Sequence, residues 1–111
     1  MIKTIVIASI AVLPLFSGDL ENGEKVYKST CFFCHSIKMT GGMGRDFNLV
    51  SYTRTKKEIM HQIVEPNVSA FLLGYRANAM PKFNLTEKEV EDVASFIDAL
   101  QPIKKASIKS L

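Results

Sequence analysis

Cysteine is scarce in this chain of 111 residues: there are two, Cys31 and Cys34. A framework of several disulfides is therefore excluded. A bond between the two would close so short a loop that it would hardly constrain the unfolded chain. Charge of one sign is scarce as well. Fourteen Lys and Arg stand against eleven Asp and Glu, a formal +3. That is neither the basic surplus of a nucleic-acid binder nor the imbalance of a disordered chain. No apolar run reaches the ~20 residues of a comfortable transmembrane helix. No stretch alternates apolar and polar residues convincingly enough for strands, and neither an internal repeat nor a second domain is visible.

What is present begins with a short apolar segment. Lys3 precedes thirteen residues, Thr4 to Phe16, of which ten are apolar, and Ser17-Gly18 follow. A basic start, a short apolar stretch and small residues at its end predict a secretory signal over residues 1–17, and with it a periplasmic or otherwise extracytoplasmic location. Cutting after Ser17 places Leu15 three residues back, so an uncleaved anchor is the alternative. No cysteine stands at the junction, which argues against a lipoprotein. The remaining 94 residues carry +2. A domain of that size buries only ~60–65% of its unfolded surface and often depends on a disulfide, metal or cofactor. The expected division is a domain over 18–101 and a basic tail over 102–111 with Lys104, Lys105 and Lys109.

The two cysteines belong to Cys31-Phe32-Phe33-Cys34-His35, the Cys-x-x-Cys-His spacing at which c-type haem is attached. On a short helical turn the two thiols reach the two vinyl groups on one porphyrin edge and form thioethers. The next residue then presents its imidazole, making His35 the expected proximal ligand. Its second ring nitrogen must donate to a backbone carbonyl to fix tautomer and orientation. Three readings compete. A thioredoxin-like redox pair shares the spacing but belongs in strand-rich surroundings, usually with Pro or Gly between the thiols. A zinc site needs two further ligands, and only His61 remains to supply one. A chance match is the third, because the pentapeptide specifies three positions.

For the opposite face of the iron, Met80-Pro81 leads. Methionine with histidine raises the potential and leaves no open position for a substrate. Pro81 fixes its own φ and favours an extended Met80, a sound way to hold a thioether in a loop. The other candidates are Met39 and Met43, too close to His35, and Met60 and His61, which sit in a helical pattern.

Helical patterning covers most of the rest, predicting an all-α fold. Asp19 caps a first helix on which Gly23, Tyr27 and Cys31 share a face, and Gly23 calls for a close helix crossing to offset its ~1 kcal/mol propensity cost. Residues 36–54 read as loop. Thr55 with Glu58 opens a second helix carrying Ile59 and Ile63, and Pro66 ends or interrupts it. Val68 to Tyr75 reads as a short helix along the haem. Thr86 with Glu89 opens the clearest helix, with Val90, Val93, Ala94, Ile97 and Leu100 as its stripe. Its acids, Glu87, Glu89, Glu91 and Asp92, read as a solvated face.

With these residues in place, the chain resembles the class I cytochrome c family over roughly Asp19 to Gln101. The resemblance rests on the haem pentapeptide, the Gly23-x-x-x-Tyr27-x-x-x-Cys31 spacing with Val93 and Phe96 in the last helix, and Ile63-Val64-Glu65-Pro66-Asn67. Gly74-Tyr75, Met80-Pro81-x-Phe83 and Leu85-Thr86 complete it. It is similar to small bacterial single-haem carriers and to cytochrome domains attached to terminal oxidases. It implies three to five helices around one covalently bound haem c, Met80 as distal ligand and one-electron transfer rather than catalysis. One position departs: where the family has Gly-Pro, whose carbonyl accepts from the proximal histidine, this chain has Gly44-Arg45.

The functional expectation is an exported monomeric electron carrier that docks transiently with redox proteins such as a reductase and an oxidase. Contact with a membrane comes only through such partners or an uncleaved signal, and nucleic acid has no part. Phe32, Phe33, Phe71, Leu72, Leu73 and Phe83 are candidates for excluding water from the haem. Arg45 and Arg54 are candidates for its propionates, and Lys28, Lys38 and Lys82 for steering an acidic partner. Two alternatives stand beside it: a haem-carrying subunit of a larger respiratory complex, and a haem enzyme or gas sensor with an open distal site.

Overall fold

The computed structural model describes residues 18–102. The expected export segment, 1–17, and the basic tail beyond Pro102 lie outside the described residues. Five α-helices follow one another without a strand among the described residues: α1 (Leu20–Val26), α2 (Phe47–Thr53), α3 (Lys56–Val64), α4 (Pro66–Leu72) and α5 (Glu87–Ala99). A π-helical turn, Tyr27–Cys31, continues α1 into the cysteine motif. The all-α expectation holds, with five helices.

Local chemistry starts most of them. Asp19 caps α1 by accepting from the Asn22 N–H. Thr55 and Glu58 form a reciprocal capping box at α3, as Thr86 and Glu89 do at α5, each satisfying two N–H groups that a helix start leaves without partners. Pro66 closes the gap after α3 and serves as the first residue of α4, where its missing N–H costs nothing. One helix falls where loop was expected. Asp46 accepts from the Asn48 N–H and starts α2, burying Phe47 and Ser51. The preceding glycines hide a pattern that is only seven residues long.

The core lies between α5 and the other helices. Val93, Ala94 and Ile97 are almost wholly buried, joined by Val26, Tyr27, Phe47, Ile59, Ile63 and Val90. Helix α1 crosses α5 at Gly23, where an added Cβ would lie 2.1 Å from the Asp92 carbonyl oxygen and 2.8 Å from Phe96 Cβ. Tyr27, one turn on, sets its ring 5.7 Å from that of Phe96. The wider π turn slows the rotation per residue, so buried Cys31 stays on the side of Gly23 and Tyr27.

Asp92 departs from the expected solvated face, being only 2% exposed. The start of α1 covers it. Its carboxylate accepts from the Asp19 N–H (2.8 Å), Asn22 Nδ2 (2.8 Å) and Lys88 Nζ (2.6 Å). Burial by itself would raise its pKa, but these donors prevail and hold the carboxyl below its ordinary value. A pKa depressed in the folded state means stabilisation fully present above the unfolded carboxylate value of ~3.9 and lost as pH falls through the folded value. In Asp92→Asn one carboxylate oxygen becomes an NH2 that faces at least one of these donors, and the holoprotein is expected to lose about 2 kcal/mol at neutral pH. Denaturant unfolding at neutral pH and below pH ~4 checks this. The variant should lose less on acidification than the parent, and an equal fall in both would place the acid sensitivity elsewhere.

Candidate haem site

The motif residues form a tight turn. The N–H groups of Cys34 and His35 both donate to the Cys31 carbonyl, at 3.1 and 3.0 Å, and the buried Tyr27 hydroxyl donates to the His35 carbonyl at 2.7 Å. Cys31 and Cys34 are not bonded to each other. Burial first, and then neighbouring Cys34, push the Cys31 thiol up to about 11. This is the reverse of the lowered pKa that a thiol–disulfide exchange pair requires, and it weighs against the thioredoxin-like reading. Nor does any group of three or more His, Cys, Asp or Glu side chains gather as a metal site among the described residues.

The His35 ring is held on three sides. Its Nδ1 lies 2.7 Å from the Arg45 carbonyl oxygen, and because a carbonyl only accepts, Nδ1 carries the proton. The bond that the family takes from a Gly-Pro step is thus made at Gly44-Arg45. Phe47 stacks on the ring with centroids 4.3 Å apart and planes 18° from parallel. Gly44 is so close that an added Cβ would sit 2.2 Å from His35 Cε1. The Gly44 N–H donates to the Cys34 carbonyl, which ties this loop to the motif. Nε2 is left as the available ring nitrogen.

A cavity of about 420 Å³ opens on this turn, a volume within the usual range for small-molecule sites. Cys31, Cys34 and His35 line it, and so does Met80. Apolar side chains from four helices contribute: Phe47 and Val50 from α2, Ile59 and Ile63 from α3, Ala70 from α4, Ile97 from α5. Two unbonded thiols, one free imidazole nitrogen and one thioether around a single apolar cavity make a donor set that fits a haem c. Of the rival distal candidates, only Met43 reaches the cavity. His61 is exposed on α3 and does not line the cavity, and Met60 packs on the core. Met43 lines it but is 83% exposed, and Met39 stands exposed in the loop.

Several expected neighbours are corrected. Of the six residues expected to exclude water, only Leu73 and Phe83 line the cavity. Helix α4 turns Ser69 and Ala70 inward, leaving Phe71 and Leu72 exposed, and Phe32 and Phe33 point out from the motif. Arg45 and Arg54 both line the cavity, and both donate to the Tyr75 hydroxyl oxygen, at 3.2 and 3.0 Å. Tyr75 is placed there by the end of α4. Gly74 takes φ +88°, its N–H donates to the Phe71 carbonyl, and the Tyr75 N–H reaches back to Ala70, a Schellman closure. Sequence reading also missed two amides on the wall, Gln62 and Asn78. Gln62 Nε2 donates to Met80 Sδ at 3.5 Å. No residue spacing signals such a contact, since an amide on a helix surface is ordinarily solvated.

The family model described as cytochrome c oxidase, cbb3-type, subunit III matches residues 18–97. Among curated proteins, cytochrome c6 of Parathermosynechococcus lividus is 36% identical over 85 residues, covering 72% of this chain and 88% of that protein. Cytochrome c6 of Synechococcus sp. (strain ATCC 27167 / PCC 6312) is 34% identical over 89 residues, with coverage of 76% and 72%. A cytochrome c-553-like protein of Synechocystis is 26% identical over 83 residues, covering 75% and 70%. No solved structure matches the chain significantly. With the fold, the donor set and these relatives in agreement, the chain belongs to the cytochrome c family, the small single-haem c-type cytochromes, and its cofactor is a covalently bound haem c.

Proposed function

We propose that the protein is a one-electron carrier in which Cys31 and Cys34 hold the haem by thioethers, His35 is the proximal ligand and Met80 the distal one. The observation that carries this reading is that all four side chains line one apolar cavity. When bound, the haem supplies a one-electron ferric/ferrous couple, which a methionine–histidine pair shifts toward high potential. The chain's residues do the rest. The Arg45 carbonyl fixes the His35 tautomer, Phe47 and Gly44 clamp its plane, and Gln62 orients the Met80 sulfur. Leu73, Phe83 and the inner faces of α2, α3 and α5 exclude water. Arg45 and Arg54, gathered by Tyr75 on the cavity wall, are the side chains that would meet the haem propionates. With His35 and Met80 as its ligands, the haem iron would have no open position for a substrate, which suits a carrier rather than an enzyme or gas sensor.

Partners are redox proteins, and the outward side of the motif suits a brief apolar contact with them. Phe33 is 86% and Phe32 58% exposed beside the cysteines, and small, weak contacts permit fast turnover. Lysine steering is weaker than expected. Lys28 pairs with Glu24 at 3.1 Å and Lys82 with Glu65 at 3.6 Å, which offsets two of the three charges. No described helix is long and apolar enough to cross a membrane. The pattern of residues 1–17 supports export to an extracytoplasmic compartment, with 18–101 as the working domain.

The test is the visible spectrum of the matured protein in both oxidation states, beside Met80→Ala. A sharp reduced α-band with a weak far-red band in the oxidised form, the latter lost in the variant, is the expected result. A far-red band that survives in Met80→Ala, or a broad high-spin spectrum of the parent, would overturn the ligand assignment.

A further inference from the structure

Residues 76–85, which carry Met80, run between α4 and α5 without regular structure. Among the described residues, no backbone–backbone hydrogen bond begins or ends in this segment. A stretch so thinly bonded belongs to the low-stability end of local opening, unless side chains restrain it. Beside the Gln62–Met80 and Lys82–Glu65 contacts, the Asn78 side chain holds the segment's backbone. The Met80 N–H donates to Asn78 Oδ1 at 3.1 Å, and Asn78 Nδ2 donates to the Met80 carbonyl oxygen at 2.7 Å. The orientation of the amide is dictated by its partners, because a backbone N–H only donates and a carbonyl only accepts. The same Nδ2 reaches Asn67 Oδ1 at 3.0 Å, which ties the bracket to the first turn of α4. Helix α4 is itself anchored by buried Pro66, Ser69 and Ala70. Pro81 follows with no N–H to offer.

We infer that Asn78 is a positioning residue that keeps the Met80 side chain in the cavity and thereby keeps the distal side closed to small exogenous ligands. The inference rests on the reading of Met80 as distal ligand and deepens it. Met80 exchanges between a seated and a released position, and the Asn78 bracket, two bonds to the Met80 backbone and one to Asn67, is complete only when it is seated. Removing the two bonds raises the released population by about thirtyfold, and removing one raises it about fivefold. Gln62 acts on the sulfur alone, whereas Asn78 acts on the backbone that aims it, so the two roles are separable.

The experiment uses full-length holoprotein as parent, Asn78→Ala, Asn78→Asp and Met80→Ala. Carbon monoxide uptake by the reduced form is followed by stopped flow, the far-red band of the oxidised form is recorded, and each unfolding midpoint is measured. Asn78→Ala is expected to take up carbon monoxide about thirtyfold faster than the parent. Asn78→Asp keeps the acceptor for the Met80 N–H but sets a carboxylate oxygen against the Met80 carbonyl and Asn67 Oδ1, so its expected rise is at least about fivefold. It also preserves side-chain size and remains informative if the alanine variant does not fold. A role confined to general stability would lower the unfolding midpoint while leaving uptake by the folded protein at the parent rate. That outcome, in whichever variant folds, overturns the inference. Met80→Ala separates the two failures: if it retains the far-red band, the ligand reading has failed; if it loses the band and the Asn78 variants stay closed, only the role of Asn78 has failed.

Discussion

Gly23→Ala is expected to destabilise the holoprotein by about 3 kcal/mol, although helix propensity alone favours alanine by ~1 kcal/mol. The sign is decided by the crossing with α5. A Cβ at this position would meet the Asp92 carbonyl oxygen at 2.1 Å and carbon at 2.7 Å, both backbone atoms of a well-formed helix. Neither is the tip of a flexible side chain, so the helices themselves must separate. Separation loosens the Tyr27–Phe96 contact and pulls the Asp19 and Asn22 donors from Asp92. Close-packed interiors resist such shifts, and overpacking typically costs 1–3 kcal/mol or more. For a domain whose whole stability is of the order of 5–15 kcal/mol, the loss is large. Denaturant unfolding of the variant beside the parent measures it. A variant as stable as the parent, or more stable, would show that propensity outweighs the crossing.

Gly44→Ala is the second large effect, and it falls on the site. The new methyl would sit 2.2 Å from His35 Cε1, 2.6 Å from Nδ1 and 2.8 Å from Nε2. The ring has no free direction, since Phe47 stacks on it and the Arg45 carbonyl holds Nδ1. It must break one of these contacts to move, and the loss of a group that orients a metal ligand lowers ligand affinity by about 10–100-fold. The expected result is a fall in normally ligated holoprotein, with a high-spin component in the spectrum. Arg45→Pro serves as the contrast. It restores the family's Gly-Pro step and keeps the accepting carbonyl, so the low-spin spectrum should persist. A parent-like spectrum and yield for Gly44→Ala would refute the role given to Gly44.

Much of this protein could be read from short-range signals, and the reason is physical. The capping boxes at Thr55–Glu58 and Thr86–Glu89 are closed within four residues of chain. The haem pentapeptide is likewise local, because its two thiols and its imidazole act from one turn. The apolar stripe of α5 follows the helical period closely enough to name its buried face in advance. Where a signal was short or shared with a commoner feature, reading failed. Helix α2 is seven residues behind a run of glycines, and Asp92 stood among acids that do face water.

The amino-acid sequence alone determined the all-α class, the starts of α1, α3 and α5, the attachment turn and the choice of Met80 as the leading distal candidate, since each depends on neighbours along the chain or on residue chemistry. The tertiary structure decided the rest, since it depends on segments far apart in sequence meeting at defined distances. Only the crossing of α1 on α5 buries Asp92 and forbids a side chain at Gly23. The folding of the 36–46 loop places the Arg45 carbonyl on His35, so that the missing proline leaves the hydrogen bond intact. The approach of α3 and the 76–85 segment brings Gln62 and Asn78 to Met80. Hydrogen-bond direction and van der Waals contact operate over a few ångströms, and no pattern along the chain encodes which distant atoms will come that close.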